Sequence, residues 1–328
     1  MADQYVKVHE SPKGPGDSRP TALQIIQDEG LEGKFSGKIA FITGSSAGIG
    51  VESARALYAA GATLYLTARN LEKAKKALGE MASSDRVHLL ELELESLASV
   101  RSCAATFLSV SKVLNILICN AGVMTPPEGR TKDGFETQFG TNHVAHFLLI
   151  NLLMPALLAG ANSERSSRVV VLSSVAHRFG EVNFDNINFD NCYDHMAAYA
   201  QSKTANLWTA NEVERRYGSQ GVHGWSVQPG AVLTDLVRHM SKDQQSGLTT
   251  DPYLATILKN PDQGAATSIW AATSAALEGK GGRYLEDCQI VEKWVPSVGM
   301  WGPGYGEHAY DAEKAKKLWE KSLEWVGL

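Results

Sequence analysis

"GKIAFITGSSAGIG", Gly37 to Gly50, is the stretch that decides the fold. Its first half is a short, nearly continuous apolar run of the kind that fills a buried parallel strand. Its second half sets Gly44, Gly48 and Gly50 in G-x-x-x-G-x-G spacing, and a helix-period segment, Ile49–Ala60, follows at once. A glycine-rich turn alone is weak evidence, because many tight turns use Gly. Between a first strand and a first helix it says more: without side chains, backbone N–H groups can approach a pyrophosphate at a helix N-terminus. Gly44, Ser45, Ser46, Gly48, Ile49 and Gly50 are therefore candidate cofactor contacts.

Outward from this loop the same alternation repeats. β-rich runs are expected at Lys38–Thr43, Ala62–Thr67, Val87–Leu92, Leu114–Cys119, Val169–Leu172, Gly224–Val227 and Arg283–Leu285. Helix-period segments lie between them at Leu71–Met81, Leu97–Val110, Phe135–Leu158 and Tyr199–Tyr217. Strands separated by helices imply a parallel sheet with right-handed crossovers and helices on both faces. The expectation is one α/β domain over residues 37–328, doubly wound, with about seven strands. Residues 1–36 read as an N-terminal arm, flexible to about residue 20, with a short helix from Thr21. The stretch 233–261 reads as a lid.

Bulk properties exclude several classes. A net charge of -5 over 328 residues gives no reason to expect nucleic acid as a partner. The four cysteines are widely spaced, with no C-x-x-C pair, which argues against a zinc site or a disulfide framework and fits a reducing compartment. No metal is expected. No run reads as a membrane span or secretory signal, so the expectation is a cytoplasmic protein without a membrane anchor.

Farther along, "AYAQSK" puts Tyr199 and Lys203 one helical turn apart on one face. Taken alone this would be a surface pair. It comes, however, with "CNAG" at Cys119–Gly122 ending the fourth strand, "FGTNHVAHF" with Asn142, "VVVLSSVAH" with Ser173 and Ser174, and "QPGAVLTD" with Pro229, Gly230, Val232 and Thr234. Together with T-G-x-x-x-G-I-G, this ordered set resembles the short-chain dehydrogenase/reductase family from Gly37 to Leu285. "TALQIIQDEGLEGK", "NHVAHFLLINLL" and "AYAQSKTANL" have the flavour of its retinol-dehydrogenase and WW-domain-oxidoreductase-like members. Cys119 stands where the family has a first Asn.

The resemblance implies a Rossmann fold and hydride transfer between a nicotinamide and a carbonyl or alcohol. Tyr199 would be the acid-base group. A phenol with pKa about 10 is sluggish at neutral pH, and a cation held close favours phenolate, so Lys203 is expected to pull that pKa down and to hold the nicotinamide ribose. Ser174, the second serine of its pair, would hydrogen-bond the carbonyl oxygen. Asn142 matches the family residue that holds a water linking the lysine to solvent.

An NAD enzyme of this architecture needs an acid at the end of the second strand. Here "LYLTARN" offers Arg69 instead, whose guanidinium suits a 2′-phosphate, with Ser45 and Ser46 as further donors. NADP(H) is the expected cofactor. Glu93–Leu94 in "ELELES" matches the family's adenine-contacting pair. Asn120, Ala121 and Gly122, with Val144 nearby, should line the adenosine half, and Thr234 the carboxamide or phosphate side. His177, Phe179, Tyr193, His195 and Met196 should border a pocket for a moderately large apolar or aromatic small molecule, since no cationic cluster faces that region. Two other readings stay open. One is an NADP-binding sensor without turnover, though such relatives usually lose the Tyr or Lys. The other is an epimerase or dehydratase working through a transient ketone, though such relatives carry a distinct C-terminal substrate domain. The resemblance allows a monomer or a homodimer.

Overall fold

The computed structural model describes residues 5–328 and carries one eight-stranded sheet in the order β3-β2-β1-β4-β5-β6-β7-β8. The strands are β1 (Ile39–Thr43), β2 (Thr63–Ala68), β3 (Val87–Glu91), β4 (Ile116–Cys119), β5 (Ser167–Leu172), β6 (Val222–Gln228), β7 (Arg283–Glu286) and β8 (Gln289–Ile290). The first seven run parallel. β8 turns back antiparallel on β7 and is the strand the sequence reading omits; two residues after a tight Asp287-Cys288 turn leave no periodicity to see.

The helices are α1 (Val6–His9), α2 (Ala22–Asp28), α3 (Ile49–Ala59), α4 (Leu71–Leu78), α5 (Leu97–Val110), α6 (Thr137–Phe139), α7 (Ala145–Gly160), α8 (His195–Tyr217), α9 (Lys242–Thr250), α10 (Pro252–Ile257), α11 (Pro261–Thr273) and α12 (Ala312–Val326). Their starts follow local chemistry: the side chains of Thr21, Asn70, Ser96, Asp194 and Asp311 accept from the free N–H groups of the turns they open.

Strand alternation divides the core into two layers. Ala40, Ile42, Leu64, Leu66, Val170 and Val227 face α2, α3 and α11, where Ile25, Ile26, Leu57, Ile269 and Trp270 are buried. Phe41, Leu117, Val169 and Val171 face α5, α7, α8 and α12. The helix expected at Phe135–Leu158 begins later and is interrupted by a π turn at Gly140–Val144. Continuous helix over Thr137–Gly160 is long and apolar enough to cross a membrane by length and composition, contrary to the reading of the sequence, but most of it is buried in this core.

The order of the sheet reverses between β1 and β4. At that switch point the carboxyl ends of the strands diverge and leave a crevice, the usual ligand position in open α/β sheets.

Candidate active site

The crevice holds two adjoining cavities. One, of about 420 Å³, runs from the glycine loop over the ends of β1, β2 and β4. The other, of about 770 Å³, lies under the lid and the N-terminal arm. Tyr199, Ser173, Ile49, Pro229 and Thr234 line both.

The glycines of the loop are there for space. At Gly44, where φ is +74°, an added Cβ would come within 2.8 Å of the Ala121 Cβ; at Gly50 it would come within 2.3 Å of the Gly44 carbonyl oxygen. Asn120 ties the loop to β4, donating from Nδ2 to the Thr43 carbonyl at 2.8 Å. Ala121, Gly122, Ser46 and Gly48 front the smaller cavity. Ser45 does not. It is fully buried and turns its hydroxyl to the Ile42 carbonyl at 3.4 Å, so of the two serines only Ser46 is available as a donor.

At the end of β2, Arg69 borders the cavity with Lys73 beside it, and no carboxylate stands at Thr67–Asn70. The Arg69 guanidinium is half-exposed and 3.5 Å from Glu95, which also lines the cavity. Glu93 departs from its expected place: its carboxylate pairs with Lys132 at 2.6 Å, outside the cavity, while Leu94 lines it. Val144 is packed in the core. Lys73 and Glu95 escape sequence reading because charged residues on a helix and after a strand are ordinarily just solvated.

Tyr199 and Lys203 sit on α8, both almost fully buried. The Lys203 ammonium lies 5.5 Å from the centre of the Tyr199 ring and donates to the Leu172 carbonyl at 3.1 Å. Ser174 caps the turn after β5, accepting from the Ala176 N–H at 3.1 Å, and its hydroxyl acts on the Tyr199 phenol, favouring the ionised form. Ser173 is occupied elsewhere: its hydroxyl donates to the Lys203 carbonyl at 2.8 Å and pins α8 to β5.

The titration of the pair differs from expectation. Burial pushes the Tyr199 phenol up to about 12, against the opposing pull of the Ser174 hydrogen bond. Burial also lowers Lys203 to about 8. Desolvation sets the direction, the ammonium contributing no resolved pull on the phenol, and the protonated phenol is favoured.

Asn142 lies in the π turn, and both ends of its amide are bonded: Oδ1 accepts from the Val123 N–H at 2.8 Å, and Nδ2 donates to the Val123 carbonyl at 2.9 Å and to Ser202 Oγ at 3.0 Å. A Cβ on Gly122 would lie 3.1 Å from Asn142 Oδ1 and 3.8 Å from Lys203 Nζ, so the absence of a side chain there lets the two groups approach. The Asn142 carbonyl accepts from His146 Nδ1 at 2.9 Å. That contact fixes the imidazole tautomer, so Nε2 accepts from the Thr43 hydroxyl at 2.9 Å. The same Thr43 oxygen accepts from the N–H groups of Asn120 and Ala121, at 2.9 and 3.0 Å. One buried chain of hydrogen bonds thus joins the glycine-loop strand, the β4 end and the Asn142 turn.

The larger cavity has an apolar wall from the lid, with Leu236, Val237, Met240, Leu248, Tyr253 and Ile257, and a further wall from Val298, Trp301 and Pro303. Val232 lines it as well, Gly230 brings the chain close to Lys259, and Thr234 packs over Gly48. His195 and Met196 border it as expected. His177, Phe179 and Tyr193 do not: the His177 ring is buried between the Ser174 carbonyl and the Gly306 N–H, Phe179 faces solvent, and the Tyr193 hydroxyl donates to the Pro126 carbonyl.

The expectation that no cationic cluster faces this region also fails, because Arg19 and Lys259 together line its far end. Residues 5–20 are not loose. The buried Arg19 guanidinium donates to the carbonyls of Gly14, Ile257 and Leu258 and pairs with Asp17, fastening arm to lid.

A parallel sheet with its ligand crevice at the β1/β4 switch point, a glycine loop, and a Ser-Tyr-Lys group at one edge of that crevice together define a nucleotide-dependent oxidoreductase of the short-chain type. The family model described as short chain dehydrogenase matches residues 38–245, and the chain belongs to that family. It is similar to short-chain dehydrogenase/reductase prx1 of Penicillium roqueforti, 46% identical over 99% of this chain and 95% of the relative. It is also similar to human retinol dehydrogenase 11, 36% identical over 90% of this chain and 87% of that one. Among solved structures, an uncharacterised protein from Mycobacterium paratuberculosis superposes with a TM-score of 0.67 at 31% identity, over 89% of this chain and 94% of that one. The Pseudomonas aeruginosa RhlG/NADP complex does so with a TM-score of 0.62 at 26% identity, over 76% and 94%.

Proposed function

We propose that this oxidoreductase is a cytoplasmic NADP(H)-dependent carbonyl reductase, acting reversibly on a ketone or aldehyde of a moderately large, largely apolar molecule. The observation that carries the reading is the shared wall. Tyr199 lines both cavities, so a dinucleotide in the smaller and a carbonyl compound in the larger would meet at its hydroxyl.

The residues fit an NADP dinucleotide. Gly44, Gly48 and Gly50 leave no room for a Cβ against Ala121, Thr234 and the Gly44 carbonyl, so the loop keeps a tight bare backbone at the cavity, and α3 opens directly behind it with N–H groups suited to a diphosphate. Arg69, Lys73 and Ser46 offer donors where a 2′-phosphate would lie, and the missing carboxylate at the end of β2 weighs against NAD. Bound there, the nicotinamide supplies the hydride. Ser174 holds the carbonyl oxygen. Tyr199, protonated at neutral pH, gives its proton to that oxygen as the alcohol forms, and Lys203, with its lowered pKa, returns a proton to the phenolate. Asn142 and His146 position the turn behind Lys203. The free cysteines, three of them buried, accord with a reducing compartment.

The test follows oxidation of NADPH and NADH against aryl aldehydes, quinones, retinal and ring ketones. NADPH is expected to be the better cofactor by tenfold or more, and Tyr199→Phe should lower kcat by about 100-fold or more, the usual scale of a lost acid-base group, while leaving NADPH binding intact. Turnover that survives Tyr199→Phe would sink the acid-base assignment. Equal use of NADH would sink the cofactor assignment.

A further inference from the structure

The far end of the larger cavity is not apolar, and the register of the sheet explains why. Gln228 at the end of β6 pairs with Glu286 at the end of β7, and Glu286 pairs with Gln289 on β8. On the other side Ser173, at the end of β5, donates its N–H to Val227, next to Gln228. Neighbouring strands lie about 4.8 Å apart, so these residues form a row leading sideways from the Ser174–Tyr199 pair, with Gln228 about 5 Å and Glu286 about 10 Å along it.

Most charges at this end are accounted for. The Lys259 ammonium is 2.6 Å from Asp287 and 3.4 Å from the Pro229 carbonyl. His9 lies 3.6 Å from the same Asp287, and Arg19 is held by Asp17 and the carbonyls named above. Gln228 and Glu286 are different. Gln228 is 6% exposed and lines the cavity, yet its amide has no hydrogen-bond partner. Glu286 is 5% exposed and also lines it; one carboxyl oxygen accepts from the Gly304 N–H at 3.1 Å, and the other has no partner. The free atoms of both side chains open onto the cavity and are not sealed in the core, so a group bound in the cavity can complete their hydrogen bonds.

We propose that Gln228 and Glu286 form a second polar subsite that holds a neutral oxygen function of the substrate, a hydroxyl or ketone, roughly 5–10 Å from the reacting carbonyl. The inference rests on the carbonyl-reductase reading for the position of that carbonyl. The charge pattern selects a neutral group. The charges here are paired with one another, Lys259 with Asp287 and Arg19 with Asp17, and burial favours the neutral form of His9, so no uncompensated charge is left to hold an ion. Burial first, and then the Asp287 charge, raise the Glu286 pKa and favour the protonated acid, which can donate. The Gln228 amide can both donate and accept. The substrate class is then a mostly apolar skeleton oxygenated at two separated positions, one of them the site of reduction.

Rigid decalin and steroid ketones, taken in pairs with and without a hydroxyl on the ring edge remote from the carbonyl, test this. Calorimetric Kd and kcat/KM with NADPH are measured for both members of each pair. In at least one pair the wild type should prefer the hydroxylated member about tenfold, the worth of one well-made buried hydrogen bond. Gln228→Leu and Glu286→Leu should bring that ratio toward one. Glu286→Gln, which keeps an acceptor for Gly304, should retain most of it. Gln228 has no protein partner, so its removal is not expected to unfold the chain. A wild type that shows no preference in any pair or binds none of them, or a ratio untouched in both leucine variants, overturns the subsite. Preferential binding without reduction would instead overturn the reductase reading and leave the subsite standing.

Discussion

His146 gives the sharpest test of the hydrogen-bond chain behind the site. Its ring is buried, with Nδ1–H on the Asn142 carbonyl and Nε2 on the Thr43 hydroxyl, and neither position tolerates a second ring proton. Burial, aided by the nearby Lys203 charge, lowers its pKa from 6.5 to about 4. In the unfolded chain the imidazole titrates at its ordinary value, so below pH 6.5 the unfolded state takes up a proton that the folded state refuses. Stability is therefore lost as pH falls, by about 1.4 kcal/mol per unit, from pH 6.5 down to the folded value. Between pH 7.5 and 5 that amounts to about 2 kcal/mol.

His146→Gln removes the titration and one of the two hydrogen bonds. At pH 7.5 the variant should be less stable by about 1–3 kcal/mol, since a buried donor or acceptor is left unpaired. At pH 5 the wild type bears its own loss and the variant does not, so the gap should shrink by about 2 kcal/mol and nearly close. His177, lowered to about 3, and the raised Glu286 are common to both proteins and cancel in the difference, while His143, whose titration interacts with that of His146, is lowered to about 3 mainly by burial and does not titrate in the folded protein above pH 5. Urea unfolding of both proteins at the two pH values measures it. A gap that stays constant or widens at pH 5 refutes the neutral, doubly bonded His146.

Three further outcomes are expected. Gly44→Ala would force a Cβ to within 2.8 Å of Ala121 at a left-handed φ; backbone strain and overpacking together should cost about 2–5 kcal/mol and weaken NADPH binding at least tenfold, read by melting and by fluorescence titration. Arg19→Met strips three carbonyls and Asp17 of a buried donor, so limited proteolysis should cut the 251–260 segment markedly faster than in the wild type; an unchanged cleavage rate would show that the arm does not hold the lid. Trp319→Ala, on α12 against Phe147, should cost about 3–5 kcal/mol in urea unfolding.

What could be read from the sequence is what repeats at short range. The glycine spacing, the strand ends and the Tyr199–Lys203 turn are all local patterns, and the structure brings them to one crevice. α12 went unread, although Ala315, Leu318, Trp319, Ser322 and Val326 recur at helical spacing behind the Asp311 cap, because the aromatic, glycine-rich stretch from Trp294 hides its start. The choice of Ser174 over Ser173 came from the family resemblance and not from any local pattern, because it turns on strand-end register; Ser173 spends its hydroxyl on α8, which accords with that choice. His177 and Glu93 misled for a similar reason. Both lie near the crevice in sequence, but the His177 ring is buried against the Ser174 carbonyl and the Gly306 N–H, and the Glu93 carboxylate turns to Lys132.

The row of Gln228 and Glu286 was beyond sequence reading, since it exists only through the β6–β7 register, and so was the closure of arm on lid, in which Arg19 reaches carbonyls some 240 positions away. This separation has a physical consequence. The groups assigned to the chemistry stand on the ends of β5 and on α8, held by backbone-directed hydrogen bonds such as those of Ser173, Asn142 and His146. The walls that would touch a substrate come from the chain ends and the lid, where side chains meet mainly through apolar contact and can be exchanged at small cost in stability. Substitutions at Val237, Met240, Tyr253 or Trp301 should therefore move KM and substrate preference, with kcat on a small aldehyde nearly fixed. Substitutions at His146 or Thr43 should move kcat and leave preference alone.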